Sequence, residues 1–318
     1  MKAVFLDYAT MGPDIDTSPI SDLLPELTLF DVTPDELIAE RIKHAEFVFT
    51  NKMRFDTETL GNANSLRFIG LTATGTDNID LSGAAKYGIA VCNIHAYCTQ
   101  SVVEHVFAVL LNFTHSTSRY ERSVRNGKWQ KSKKFCMLDY PVRELSGMTL
   151  GIVGHGELGR GVERIAREFG MTILVARRPG TPPSADDGRT DFQEMLDRAD
   201  VITLHCPLTD ETRNLFGEEE FRRMKSDAIL INTARGGLVN SGALAAALRD
   251  GDIGAAAIDV LAKEPPIDGD PLLDYDGPNL IVTPHIAWAT IEARQNAINE
   301  LAANVKAFLN SEKRNRVV

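Results

Sequence analysis

Thr149-Leu150-Gly151-Ile152-Val153-Gly154-His155-Gly156-Glu157-Leu158-Gly159 sets a β-rich apolar run directly before a Gly-x-Gly-x-x-Gly turn. Beyond the turn, Leu158, Val162, Ile165, Ala166 and Phe169 recur at helical spacing, so the glycines join a strand to a helix. In such a turn the first glycine makes the sharp bend, the second lets a diphosphate approach the backbone, and the third lets helix lie on strand. The helix N-terminus adds partial positive charge. The stretch therefore predicts a dinucleotide site with Gly154, Gly156, Glu157, Leu158 and Gly159 on its phosphate side.

The same rhythm runs outward in both directions. Downstream, apolar runs at 172–176, 201–204, 228–231, 255–258 and 280–282 alternate with helical patterns, which makes a six-stranded doubly wound sheet. Upstream, runs at 3–6, 27–30, 46–49, 66–71 and 89–91 predict a five-stranded parallel sheet, and 101–120 reads as one long helix. Residues from Ala289 onward are helical again and are expected to return to the first sheet. A length of 318 residues accommodates two domains. The expected fold is α/β, with two doubly wound parallel-sheet domains: a flavodoxin-like one at 1–98 plus 288–318, and a Rossmann one at 99–287.

Composition narrows the function classes. Asp plus Glu (44) exceeds Lys plus Arg (34), and no basic stripe opposes the net charge of −10, so nucleic-acid binding is not expected. The apolar run 106–111 is too short to span a bilayer and 3–6 is too short for a signal segment, so a cytoplasmic location without membrane association is expected. Cys92, Cys98, Cys136 and Cys206 show no paired spacing, hence neither a disulfide framework nor a metal site is expected. The apolar character of 101–120 and of 129–140, with Phe135, Met137 and Leu138, predicts a homodimer.

Cofactor choice is read where the strand after the glycine turn ends. A carboxylate there would hold a ribose 2′-hydroxyl, but this chain has Arg177-Arg178, and Asp186 and Asp187 lie beyond a Pro-rich turn, out of register. Guanidinium groups suit a phosphate dianion, so NADP(H) is the expected preference, with NAD(H) possible.

Three further stretches follow strands: Asn232-Thr233-Ala234-Arg235-Gly236-Gly237, Asp259-Val260-Leu261-Ala262-Lys263-Glu264-Pro265 and Thr283-Pro284-His285-Ile286-Ala287-Trp288. Parallel strands would bring all three to one sheet edge. Reduction of a 2-oxo acid needs a cation for the carboxylate and developing oxyanion, a proton donor for the carbonyl oxygen, and a group that orients the donor. Arg235, His285 and Glu264 supply those roles in that order. A carboxylate bonded to the imidazole fixes its tautomer and favours its charged form.

With these motifs in view, together with His205-Cys206-Pro207-Leu208-Thr209, the chain resembles the D-2-hydroxyacid dehydrogenases along essentially its whole length. The resemblance implies that Arg235, Glu264 and His285 are the catalytic trio and that hydride passes between the nicotinamide C4 and the substrate C2. It implies that Asp259 meets the nicotinamide amide and that Cys206, Pro207, Thr212, Thr233 and Ala234 line the cofactor. It also assigns substrate contacts to the first domain, at Asn51-Lys52 and Thr74-Gly75, with Gly75 admitting close backbone approach. The position between the first two glycines carries His155, where the family commonly has a small or apolar residue.

Within the family, Lys2-Ala3-Val4-Phe5-Leu6-Asp7, Asn51-Lys52, Thr74-Gly75-Thr76-Asp77-Asn78-Ile79-Asp80 and Ile286-Ala287-Trp288 resemble the glycerate dehydrogenase and hydroxypyruvate or glyoxylate reductase branch. Trp288 is a candidate wall around the substrate C3 group. The expected activity is NADPH-preferring reduction of a small 2-oxo acid. The alternatives are a D-lactate-type dehydrogenase for a bulkier 2-oxo acid and a dinucleotide-sensing regulatory protein.

Overall fold

A computed structural model describes residues 1–181 and 188–318; the acidic pair Asp186 and Asp187 lies outside the described residues. The chain divides into two compact units, Met1–Cys98 with Ala289–Val318, and Thr99–Trp288.

In the first unit, β1 (Lys2–Phe5), β2 (Glu26–Leu29), β3 (Phe47–Thr50), β4 (Phe68–Leu71) and β5 (Ala90–Cys92) form one parallel sheet in the order β2-β1-β3-β4-β5. That is the flavodoxin-like order, whose switch point falls between β1 and β3. Every residue of β3 and β4 is buried, as strands covered on both faces must be. Val48 and Ile69 belong to a largely aliphatic cluster on one side, with Phe55 among its members. On the other, Phe47 and Phe68 meet Phe308 at centroid separations of 5.8 and 5.0 Å, which seats the Ile291–Leu309 helix on this sheet.

In the second unit, β6 (Thr149–Val153), β7 (Thr172–Val175), β8 (Val201–Leu204), β9 (Ile229–Asn232), β10 (Ala255–Ile258) and β11 (Leu280–Val282) are parallel in the order β11-β10-β9-β8-β6-β7. Thr190 adds a single parallel bridge to Ala176 beyond β7, with the Arg177 amide donating to the Thr190 carbonyl at 2.8 Å. It stands where a third Rossmann strand would pair, so the sheet keeps a 3-2-1-4-5-6 order with that strand reduced to one residue and β11 added beyond the sixth. Apolar clusters cover both faces, one holding Leu174, Leu196 and Leu230, the other Leu150, Ile152 and Ile231.

One expectation needs correcting. The 101–120 stretch is two helices, Thr99–His115 and Thr117–Arg125, broken at Ser116, whose φ is +51°. The Asn112 side-chain oxygen accepts from the Thr117 hydroxyl and from the Ser118 hydroxyl and amide, capping the second helix from within the first. Among the described residues no helix is long and apolar enough to cross a membrane, and no group of three His, Cys, Asp or Glu could hold a metal ion.

Candidate active site

The glycine turn sits at the carboxyl end of β6, between β7 and β8, where the winding of the sheet reverses. Gly154 has φ +96°, and a Cβ there would lie 2.5 Å from the Cys206 nitrogen. Only glycine lets the turn press this closely on the backbone after β8. A Cβ on Gly159 would run into the Gly154 carbonyl, which is the close helix-to-strand packing expected of the third glycine. Gly156, by contrast, would present a Cβ to nothing within 4 Å. It also begins the Glu157–Glu168 helix with no side-chain cap, so open space lies beside uncapped amide donors. These features fit a diphosphate.

Neighbouring side chains shape the turn. Glu157 accepts a hydrogen bond from the Thr99 hydroxyl, and Leu158 is partly buried beside it. The His155 ring is held by Glu163 across 2.5 Å, and Glu163 also accepts from Arg167 at 2.6 Å, which pulls its carboxyl below the usual carboxylate range. Beneath Gly154, burial pushes the His205 imidazole down to about 4, so the ring is neutral at physiological pH. Its Nε2 meets the Thr203 hydroxyl at 2.9 Å. The following turn is closed by Thr212, whose hydroxyl donates to the Pro207 carbonyl at 2.8 Å and accepts from the Thr209 amide at 2.7 Å. Cys206 is partly buried, and burial lifts its thiol to about 11, so it is not a thiolate.

Arg177 and Arg178 lie at the end of β7. The Arg177 guanidinium reaches the Arg189 carbonyl at 3.0 Å, and that of Arg178 is 3.4 Å from the Glu211 carboxylate. Glu211, fixed by the Thr209 hydroxyl at 2.6 Å, was missed by sequence reasoning because it comes from the loop after β8 rather than from the end of β7.

On the same edge, His285 Nδ1 lies 2.6 Å from Glu264 Oε2, and the other Glu264 oxygen accepts from the Leu261 amide at 2.9 Å. His285 has φ +57°, an uncommon conformation for a residue with a side chain. Asp259 over-determines it. This carboxylate is 2% exposed and accepts from the Thr283 hydroxyl at 2.6 Å, the Ile286 amide at 2.9 Å and the Ala287 amide at 2.8 Å. The Asp259 carbonyl takes the His285 amide at 2.8 Å. Asp259 thus pins the His285 loop. His105 Nε2 stands 3.4 Å from the Thr283 hydroxyl and 4.0 Å from Asp259, within this anchor. Trp288 closes the loop by donating to the His285 carbonyl at 3.0 Å.

Arg235 follows β9. Its loop is shaped by Asn232, whose side chain donates to the Arg235 carbonyl at 2.9 Å and accepts from the Ala234 amide at 3.0 Å. The Thr233 hydroxyl is buried without a partner among the described residues. β9, β10 and β11 are adjacent and parallel, so Arg235, Glu264 and His285 leave neighbouring strands at one edge.

Asn51, Lys52, Thr74 and Gly75 belong to the first unit. Asn51 is buried and Lys52 exposed, just after β3. Thr74 is tied to β5 and its extension: its hydroxyl donates to the Ile94 carbonyl at 2.8 Å, and its carbonyl accepts from the Asn93 side chain at 2.7 Å. Asn93 is held in turn by buried Asn304, which accepts from Arg314 at 2.7 Å. No short motif marks Asn93 and Asn304, because their partners are distant in sequence.

A glycine turn at the switch point of a parallel sheet, with an imidazole–carboxylate pair and an arginine on neighbouring loops, defines a dinucleotide-dependent oxidoreductase domain. The model of the family described as D-isomer specific 2-hydroxyacid dehydrogenase, NAD binding domain, matches residues 107–287. A glycerate dehydrogenase of Methylorubrum extorquens is 45% identical over 285 residues, covering 90% of this chain and 89% of the relative. A hydroxypyruvate reductase of Blautia hydrogenotrophica is 35% identical over 315 residues, covering 97% of each. The crystal structure of the TT0316 protein of Thermus thermophilus superposes with a TM-score of 0.86 at 31% identity, covering 100% of each chain. The chain belongs to the D-isomer-specific 2-hydroxyacid dehydrogenases.

Proposed function

We propose that this dehydrogenase reduces a small 2-oxo acid, hydroxypyruvate or glyoxylate, to the D-2-hydroxy acid with NADPH preferred over NADH. The observation that carries the chemistry is the His285–Glu264 pair at 2.6 Å on a loop pinned by buried Asp259. With Glu264 on Nδ1, that nitrogen carries its proton toward the carboxylate, which leaves Nε2 as the atom that gives a proton to the substrate carbonyl oxygen. Arg235 holds the substrate carboxylate and the oxyanion that develops as the carbonyl bond is reduced. Asn51, Lys52, Thr74 and Gly75 supply the remaining substrate contacts, and Trp288 borders the C3 group. Gly154, Gly156, Glu157, Leu158 and Gly159 hold the diphosphate, while Cys206, Pro207, Thr212, Thr233 and Ala234 line the rest of the dinucleotide site. The reduced nicotinamide, when bound, supplies the hydride to C2. In the reverse direction neutral His285 takes the hydroxyl proton back.

Initial rates of NADPH and NADH oxidation against hydroxypyruvate, glyoxylate, pyruvate and phenylpyruvate test this reading. Strong NADPH-linked turnover of the first two supports it; tight NADPH binding without turnover of any overturns it in favour of a sensor.

The NADPH preference rests on Arg177 and Arg178 standing where an acidic residue would favour NADH. Arg177→Asp is expected to lower the NADPH-to-NADH ratio of kcat/KM by roughly tenfold to a hundredfold, the worth of a charge-assisted bond to phosphate. An unchanged ratio removes Arg177 from the site.

We also propose a homodimer. Phe135 is 95% and Leu138 82% exposed, beside half-exposed Trp129 and Val142, an apolar display suited to burial against a second copy. Light scattering at micromolar concentration is expected to return twice the chain mass, and a monomer mass refutes it.

A further inference from the structure

Sequence reasoning gave no role to Asp7, the residue two beyond the end of β1. Its carboxylate is 6% exposed. Oδ1 accepts from the Asn51 amide at 2.9 Å; Oδ2 accepts from the Lys52 amide at 2.7 Å and from the Asn51 amide and the Thr50 hydroxyl at 3.1 Å. All four contacts go to one stretch, Thr50-Asn51-Lys52, some 44 residues away in sequence. The same stretch is closed from its far side, where the Met53 amide donates to the Thr50 hydroxyl at 2.9 Å and its carbonyl accepts from the Asn78 side chain at 2.8 Å.

Burying a carboxylate is costly unless donors converge on it, and an apolar residue after β1 would avoid that cost. Burial pushes the Asp7 carboxyl above the usual carboxylate range, and the Asn51 and Lys52 amides and Thr50 hydroxyl pull it back. The place of this expenditure is informative. β1 and β3 flank the switch point of the first sheet, and ligands of doubly wound sheets bind outside the carboxyl ends of strands at that point.

We propose that Asp7 is a positioning residue for the 2-oxo acid, fixing the backbone of Asn51 and Lys52 so that this loop is preorganised for substrate. The proposal rests on the reading of Asn51-Lys52 as a substrate-side loop. Asp7 itself touches no substrate. Its removal should loosen one loop of the first unit and leave the glycine turn of the second unit as it is.

In Asp7→Asn the side chain offers one acceptor oxygen instead of two and places an NH2 group before the remaining amide donor. With hydroxypyruvate varied at saturating NADPH, KM is expected to rise roughly tenfold, the equivalent of one charge-assisted hydrogen bond, while kcat falls less and the NADPH dissociation constant stays unchanged. Thr50→Val removes a single donor at nearly constant shape and should raise KM by a smaller factor in the same direction. It decides the matter if Asp7→Asn does not fold. Lys52→Ala separates the two layers of the argument. If it raises KM while folded Asp7→Asn, or Thr50→Val in its place, leaves KM unchanged, the positioning role is overturned and the loop reading stands. If Lys52→Ala leaves KM unchanged, the loop reading fails and the proposal fails with it. Equal losses in KM and in NADPH affinity in Asp7→Asn also overturn it, because they mark general damage rather than loop positioning.

Discussion

Replacing His285 by Ala is expected to slow 2-oxo acid reduction by about 10²- to 10⁴-fold, the usual contribution of a positioned acid, with NADPH affinity unchanged. The effect is local. The imidazole leaves the loop after β11, whereas the diphosphate contacts proposed above lie in the turn after β6, so removing the ring deletes the proposed proton donor and leaves the glycine turn intact. Single-turnover rates with preformed NADPH complex measure the chemical step, and quenching of Trp fluorescence measures binding. A loss below about tenfold would place the acid elsewhere.

Glu264→Gln gives the companion result. A glutamine keeps an acceptor for Nδ1 but replaces the carboxylate that meets the ring at 2.6 Å with a neutral amide, so the ring is oriented less firmly. kcat for reduction is expected to fall by roughly tenfold to a hundredfold, the equivalent of one charge-assisted hydrogen bond, with the NADPH dissociation constant unchanged. An unchanged kcat would separate Glu264 from the proton donor.

The parts of this protein most legible in its sequence are those where one local rule acts alone. β6, β8, β10 and β11 have the bounds that their apolar runs predict, because each is a short apolar run ended by turn residues, and the first three are almost wholly buried. The bend at Ser116 was missed because apolar periodicity runs on past it. What ends the first helix is the left-handed backbone at Ser116, and the Asn112 oxygen then caps the second by accepting from Thr117 and Ser118. Glu264 and His285 were paired from their positions after strands, and they meet at 2.6 Å because β10 and β11 are neighbours. Asp7, Asn93, Asn304 and Glu211 were not legible, since each acts through a partner on another strand's loop. An alternation of strands does not say which loops become adjacent until the sheet order is known. The role of Asp259 is similar. Its place after β10 was visible, but its hold on Thr283, Ile286 and Ala287 depends on tertiary packing.

Two of the three glycines of the turn after β6, Gly154 and Gly156, should separate stability from binding. Gly154→Ala sets a Cβ 2.5 Å from the Cys206 nitrogen, which is backbone and cannot rotate away, at a φ of +96° that alanine rarely adopts. Backbone strain of about 1–3 kcal/mol adds to overpacking of about 1–3 kcal/mol. At roughly 2–4 °C per kcal/mol for a domain of this size, the second unit should melt about 5–20 °C lower and lose NADPH binding as the turn lifts off His205 and Cys206. Gly156→Ala meets nothing within 4 Å and has an extended backbone that alanine accepts, so the melting temperature should hardly move. Its methyl would instead occupy the approach of the diphosphate and raise the NADPH dissociation constant by roughly tenfold or more. Calorimetry and titration of the two variants side by side make the distinction. If Gly156→Ala binds NADPH as the unaltered chain does, the diphosphate does not pass over that position. If Gly154→Ala melts normally, the close approach to Cys206 is not what requires glycine there.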